Sequence, residues 1–301
     1  MNIDSKNAVK FQGLTKHYGD FSALEDLTLD VNKGEILGYL GPNGSGKTTT
    51  IRLMLGLIKP TNGTVEIFGH DAQKEKAAVH STIAYVPGEA NLWPSLTGIE
   101  TLHLLAQVHG HVDKAYRDKL IKRFELDADK KVRTYSKGNK QKITLIAALA
   151  SRAELLILDE PTSGLDPLME QAFRKTALEA KGRGQTVFLS SHILEEVEAL
   201  CDRIAVLRSG KLVELGTLEQ MRHLSAVTIE ASFKNQPPVV KHLKGVSKVV
   251  THDNFLSCQV NGPIDELLEV IAKARPLTLL SREPSLEELF LALYGNNIEK
   301  S

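Results

Sequence analysis

Gly41-Pro42-Asn43-Gly44-Ser45-Gly46-Lys47-Thr48-Thr49 lies between the apolar run Ile36 to Leu40 and the amphipathic segment Thr50 to Ile58. A strand that breaks into a glycine-rich turn and continues as a helix aims successive backbone N–H groups into one small concavity, together with the positive end of the helix dipole. That concavity fits phosphate. Lys47 adds a compact positive charge for β- and γ-phosphates, and the Thr48 hydroxyl suits a magnesium ion (Mg2+) bridging them. The spacing, Gly, four residues, then Gly-Lys-Thr, comes with the strand before and the helix after that this chemistry requires.

Upstream, Val9 to Gln12 and Leu27 to Val31 alternate apolar with polar residues around a turn at Gly19-Asp20, which predicts a small antiparallel sheet. Tyr18, at a loop ahead of the cradle, reads either as a turn or core tyrosine or as a stacking platform for a base. Downstream, Lys59 to Gly63 reads as a loop and Val65 to Phe68 as a strand, and Ile83 to Val86 is a buried strand stopped by Pro87. Residues from about 91 to 150 are mostly helical, beginning at the capping-box spacing Thr97-Gly98-Ile99-Glu100. The apolar runs Leu155 to Leu158 and Thr186 to Ser191 then end in Asp159-Glu160 and in His192. Apolar strands alternating with helices predict a mostly parallel sheet covered on both faces. Ligands in such sheets sit beyond the carboxyl ends of the strands, where Gly41, Asp159, Glu160 and His192 all fall.

A hairpin around Ser209-Gly210 and a capped helix at Thr217 close the main domain near residue 223. Beyond it, strands at Val227 to Phe233, Ser247 to Thr251, Phe255 to Val260 and Leu277 to Leu280 predict a small α+β domain over residues 224–301. Helices at Pro237 to Leu243 and Pro263 to Ala272 complete a split-βαβ order, followed by a last helix from Ser285. The 301 residues carry 37 basic and 37 acidic side chains, so charge offers no argument for a nucleic-acid partner. No apolar run approaches the ~18 residues of a spanning helix, and no signal peptide is evident, so any membrane is spanned by another chain. Cys201 and Cys258 match no metal spacing and read as buried free thiols of a reducing compartment.

Asp159 suits coordination of magnesium, while Glu160 suits a base that takes a proton from, or orients, a water attacking the γ-phosphate. With this set on the page, the chain resembles the nucleotide-binding subunits of ATP-binding cassette transporters over its first ~220 residues. Gly41 to Thr49 looks like the Walker A loop, Leu155 to Glu160 like Walker B, Ser163 to Asp166 like the D-loop, and His192 like the switch histidine. Tyr18 matches the adenine-stacking aromatic, and Tyr135-Ser136-Lys137-Gly138-Asn139 the family signature. The resemblance implies a P-loop cassette fold with ATP and magnesium as cofactors. It implies a second copy of the chain or a homologous subunit, such that Ser136, Lys137, Gly138 and Asn139 meet the γ-phosphate held by the partner's loop. An integral-membrane permease, export, and a cytoplasmic place on the inner face of the membrane follow from the same resemblance. The alternative is a soluble cassette ATPase acting on ribosomes or DNA.

Two departures from the family pattern stand out. Lys137 replaces the first glycine of the signature, where it either adds positive charge or lies solvated. Gly88, after Pro87, replaces a glutamine, so that Glu89 or a water on the Gly88 backbone is the expected substitute. Trp93 reads as a core residue or as an anchor for a membrane partner. His109-Gly110-His111 reads as a solvated inter-helix loop rather than a metal site.

Overall fold

The two leading strands run longer than their apolar alternation predicts. In the computed structural model, which describes residues 6–109, 112–223 and 227–282, β1 (Asn7–Tyr18) pairs antiparallel with β2 (Phe21–Asn32). The register shifts between Phe11 and Leu14 and again between Leu14 and Lys16, with Gly13 at φ 55°, so the period-two pattern breaks while pairing continues. Tyr18 is therefore the last residue of a strand rather than part of a loop.

β3 (Ile36–Leu40) leads through the glycine-rich turn into α1 (Lys47–Met54), and β4 (Asn62–Ile67) returns to pair with β1 before the short β5 (His70–Asp71). Asn62 and Gly63, expected in a loop, open β4 instead. Gly63 lies against Gly13, where an added Cβ would sit 2.3 Å from the Gly13 carbonyl oxygen.

The central sheet then assembles from α2 (Lys76–Thr82), β6 (Ile83–Val86), α3 (Gly98–His109), α4 (Lys114–Arg123), α5 (Lys137–Leu149), β7 (Leu155–Asp159), α6 (Pro167–Gly182), β8 (Thr186–Ser191), α7 (Leu194–Leu200), β9 (Arg203–Arg208) and β10 (Lys211–Gly216). Its order is β10-β9-β3-β8-β7-β6, with β9, β3, β8, β7 and β6 parallel. Every residue of β3, β7 and β8 is buried, which is why those strands read as unbroken apolar runs. The predicted box at α3 forms reciprocally: Thr97 N–H donates to Glu100 at 2.7 Å and Glu100 N–H to Thr97 at 3.2 Å. Trp93 is 47% exposed, which sets aside its reading as a core residue. Gly110 and His111 lie outside the described residues.

Arg123 of α4 grips Glu179 of α6 through both terminal nitrogens at 2.9 and 2.8 Å, and Tyr116 Oη donates to the same carboxylate at 2.7 Å. The bonds from Arg123, then that from Tyr116, outweigh partial burial and hold the Glu179 carboxyl at about 2, against 4.5. A group whose folded pKa is depressed adds stability that is complete above its unfolded pKa and lost as pH falls through the folded one. Glu179→Gln is therefore expected to lower the melting temperature at pH 7 and to converge with the parent as pH approaches 2. Equal melting temperatures at pH 7 would show that this latch between α4 and α6 contributes nothing.

The contacts of the chain divide it between Leu215 and Gly216, so the capped helix expected to close the main domain groups with the second unit. That helix, α8 (Leu218–His223), precedes β11 (Val227–Ser232), β12 (Val246–His252), β13 (Phe255–Val260), α9 (Asp265–Lys273) and β14 (Thr278–Arg282). The sheet order β12-β13-β11-β14, antiparallel throughout, is that of a split-βαβ unit. The helix expected at Pro237 to Leu243 does not form. Pro237-Pro238 removes two backbone donors and holds the preceding residue extended, and Val240, fully buried, packs against the sheet from an irregular segment. The helix expected from Ser285 lies outside the described residues.

Candidate functional site: a phosphate cradle at the edge of the central sheet

Gly41 begins the turn because nothing larger fits: a Cβ there would stand 2.4 Å from Ser45 Oγ and 2.7 Å from the Leu207 carbonyl oxygen. Gly44 and Gly46 adopt φ of 81° and 110°, conformations that direct the loop around a hollow and into the N-terminus of α1. The Lys47 ammonium reaches back across the loop and donates to the carbonyls of Gly41 at 2.7 Å and Pro42 at 3.2 Å. It is 5% exposed. Burial lowers its pKa, opposed by the charges of Glu160 and Asp159. Ser45 Oγ is buried with no hydrogen-bond partner among the described residues, an arrangement that fits a loop built to meet an anion. The cleft measures about 190 Å³ and is lined by Phe21, Asn43, Gly44, Lys47, Thr49 and Glu160, among others.

The carboxylates come from the end of β7. Asp159 Oδ1 accepts from Ser190 Oγ at 2.9 Å and Oδ2 from Thr48 Oγ1 at 3.4 Å, which sets a hydroxyl and a carboxylate side by side as hard oxygen donors. Burial raises the Asp159 pKa, and the Ser190 bond and the Lys47 charge oppose it. Glu160 has φ 46°, a left-handed conformation uncommon for a side-chain-bearing residue, and its N–H is held by the Ser190 carbonyl at 2.9 Å. That turn carries its carboxylate out of the strand. Glu160 Oε1 then stands 3.8 Å from Lys47 Nζ and 3.1 Å from His192 Nδ1.

Lys47, Thr48, Asp159, Glu160 and His192 thus meet at one edge, as the strand ends predict. Tyr18 is 46% exposed beneath the Lys16 ammonium, 4.9 Å from the ring centroid, and does not line the cleft. Phe21, its partner across the turn, does line it and was not singled out in the sequence. Its signal was an aromatic residue three positions beyond Tyr18. Ser136, Lys137, Gly138 and Asn139 also lie outside the cleft. Ser136 Oγ caps its own helix, accepting the Asn139 N–H at 3.2 Å. Lys137 Nζ donates to Ser163 Oγ at 2.9 Å, so its exposed side chain is bonded within the chain rather than simply solvated.

At the position where a glutamine was expected, Gly88 backs onto the end of β7, and a Cβ there would lie 3.3 Å from the Asp159 carbonyl oxygen. Glu89 is exposed and forms no hydrogen bond or ion pair among the described residues. The loop is held from elsewhere: Gln141 of α5, 1% exposed, donates to the Pro87 carbonyl at 3.2 Å. The sequence marks Gln141 only as a polar residue in a helix whose later residues are all buried.

The sequence profile of the family described as ABC transporter matches residues 24–163, which takes in the cradle, the segment Ser136 to Asn139 and the Asp159-Glu160 pair. The daunorubicin resistance ATP-binding protein DrrA3 of Streptomyces coeruleorubidus is 35% identical over 96% of this chain and 96% of its own. The chain belongs to the ABC transporter family. The bacitracin transport ATP-binding protein BcrA of Bacillus licheniformis is likewise 35% identical, over 95% of this chain and 97% of its own. Both alignments take in the second unit. A dimeric ATP-binding cassette solved in a post-hydrolysis state with ADP and Pi is 27% identical, with a TM-score of 0.63 over 70% of this chain and 98% of that one. This ABC protein is the ATP-binding and ATP-hydrolysing subunit of a transporter, and the reading as an ATPase of ribosomes or DNA is set aside. Among the described residues no helix is long and apolar enough to cross a membrane.

Proposed function

We propose that this ABC subunit powers export through a separate integral-membrane permease, from the cytoplasmic face of the cell membrane, as a dimer closed around ATP. The observation that carries the catalytic part is the placement of Glu160 Oε1, 3.8 Å from the Lys47 ammonium and 3.1 Å from His192, at the mouth of the cleft. Lys47 and the backbone N–H groups entering α1 bind the β- and γ-phosphates. Tyr18, exposed across the turn from Phe21 of the cleft lining, stacks on the base where it extends beyond the cleft. Glu160 takes a proton from, or orients, the attacking water, and His192 holds that carboxylate through Nδ1 while offering its other ring nitrogen to the γ-phosphate. The Thr48 hydroxyl and the Asp159 carboxylate are the groups that would hold magnesium, which when bound neutralises charge on the phosphate oxygens. Ser136 to Asn139 meet the nucleotide of the second subunit, because they lie outside the cleft of their own chain. We assign residues 1–215 to this cassette and 216–301 to an accessory domain.

Export rests on the relatives named for daunorubicin resistance and bacitracin transport, both aligned nearly end to end. The test is purification of the tagged chain from solubilised membranes, followed by reconstitution of the recovered complex in proteoliposomes. A permease should co-purify in fixed ratio and raise ATP turnover on reconstitution. Recovery with ribosomes, or a permease that leaves turnover unchanged, would overturn the proposal.

A further inference from the structure

The segment that presents His192 is anchored by a carboxylate that the hydrolytic chemistry does not use. Glu196, on α7, is 2% exposed. Its Oε2 accepts from Ser191 Oγ at 2.6 Å, and the same Ser191 oxygen accepts the Ile193 N–H at 3.0 Å. Ser191 and Ile193 flank His192, so one hydroxyl clamps the backbone on both sides of the imidazole and hands that clamp to Glu196.

Burial raises the Glu196 pKa, opposed by the hydroxyls of Ser191 and Thr162 and by the Arg174 guanidinium. Thr162 belongs to the turn leaving Glu160, where Ser163 N–H donates to the Glu160 carbonyl at 3.1 Å and Leu165 N–H to that of Thr162 at 2.9 Å. Glu196 Oε1 and Arg174 Nε, both buried, have no hydrogen-bond partner among the described residues. A buried carboxylate left one bond short is costly, and an apolar side chain would fill the same space at less expense.

We infer that Glu196 is a positioning residue for hydrolysis: through Ser191 it sets where His192 meets Glu160. The inference rests on the roles proposed above for Glu160 and His192. Alanine at 196 leaves Ser191 Oγ without its acceptor and frees the backbone on either side of the imidazole. Displacing a catalytic group by about 1 Å costs on the order of 10²-fold in rate, and partial freedom correspondingly less.

The experiment is steady-state ATP hydrolysis by the full chain carrying Glu196→Ala, Glu196→Gln, Ser191→Ala or His192→Ala, singly and combined. Glu196→Ala and Ser191→Ala should each lower kcat by about tenfold or more while the KM for ATP stays within about twofold, the pattern of a lost transition-state interaction. Glu196→Gln, isosteric and still able to accept from Ser191, should recover most of the rate. In the His192→Ala background neither Glu196→Ala nor Ser191→Ala should lower the rate further, since both act through the imidazole. Ser191→Ala removes a single oxygen and keeps the test open should Glu196→Ala fail to fold. Parent-rate turnover by Ser191→Ala, or losses that add in full to that of His192→Ala, would overturn the inference. A His192→Ala chain at the parent rate would overturn the reading of the site as well, whereas a slow His192→Ala beside a parent-rate Ser191→Ala overturns this inference alone.

Discussion

Glu160→Gln is expected to bind ATP, to turn it over more slowly by on the order of 10³-fold, and to accumulate as an ATP-bound dimer. The substitution keeps the shape of the side chain and the left-handed backbone at φ 46°, and removes only the negative charge and the proton acceptor. The hydrogen bond from Ser190 to Asp159 and that from Thr48 are untouched. Lys47 loses the nearer of its two carboxylate neighbours, so its ammonium is freer to turn toward an incoming phosphate. Binding should therefore hold or tighten while the chemical step stalls. Size-exclusion chromatography with and without ATP, beside a single-turnover assay, checks both halves. Turnover within about tenfold of the parent would remove Glu160 as the base.

That prediction was within reach of the sequence because its residues are local. Gly41 to Thr48 states its own turn, and Asp159-Glu160 ends an apolar run that can only be a buried strand. Legibility ended where one residue depends on the backbone of a distant one. The bulge around Gly13 hid the second half of β1, because a register shift erases period-two alternation while the strand continues. Gln141 on Pro87 and Lys137 on Ser163 join segments 54 and 26 residues apart, which only the fold brings together. In Pro237 to Leu243, apolar content suggested a helix and the proline pair prevented one. Phe21 is the converse case: aromatic, near the cradle in sequence, and in the lining while Tyr18 is not. A residue type signals a possible role; which backbone faces it decides whether the role is filled.

Gly138 shows how large that second factor can be, and Gly138→Ala is expected to leave ATP binding by the single subunit intact while removing ATP-driven association and at least about 10²-fold of turnover. Gly138 is the second residue of α5, a helical position where alanine is intrinsically better than glycine by about 1 kcal/mol. Its surroundings reverse that preference. A Cβ would stand 2.3 Å from the Gly164 carbonyl oxygen, a backbone atom with no rotamer to change, while Gly164 is itself fixed at φ 83° by the turn that follows Glu160. Relief requires the start of α5 and the Ser163-Gly164 turn to part, which also breaks the Lys137 bond to Ser163. Both segments, on the proposed arrangement, face the second subunit, whereas neither Gly138 nor Gly164 lines the cleft at Gly41 to Thr49. The monomer should thus bind ATP with a Kd within about twofold of the parent. Glu160→Gln combined with Gly138→Ala should elute as a monomer in ATP. A double variant that still dimerised in ATP would mean that this contact does not shape the surface the partner reads. A loss of ATP binding by the monomer would mean that the two halves of the site are coupled within one chain rather than across two.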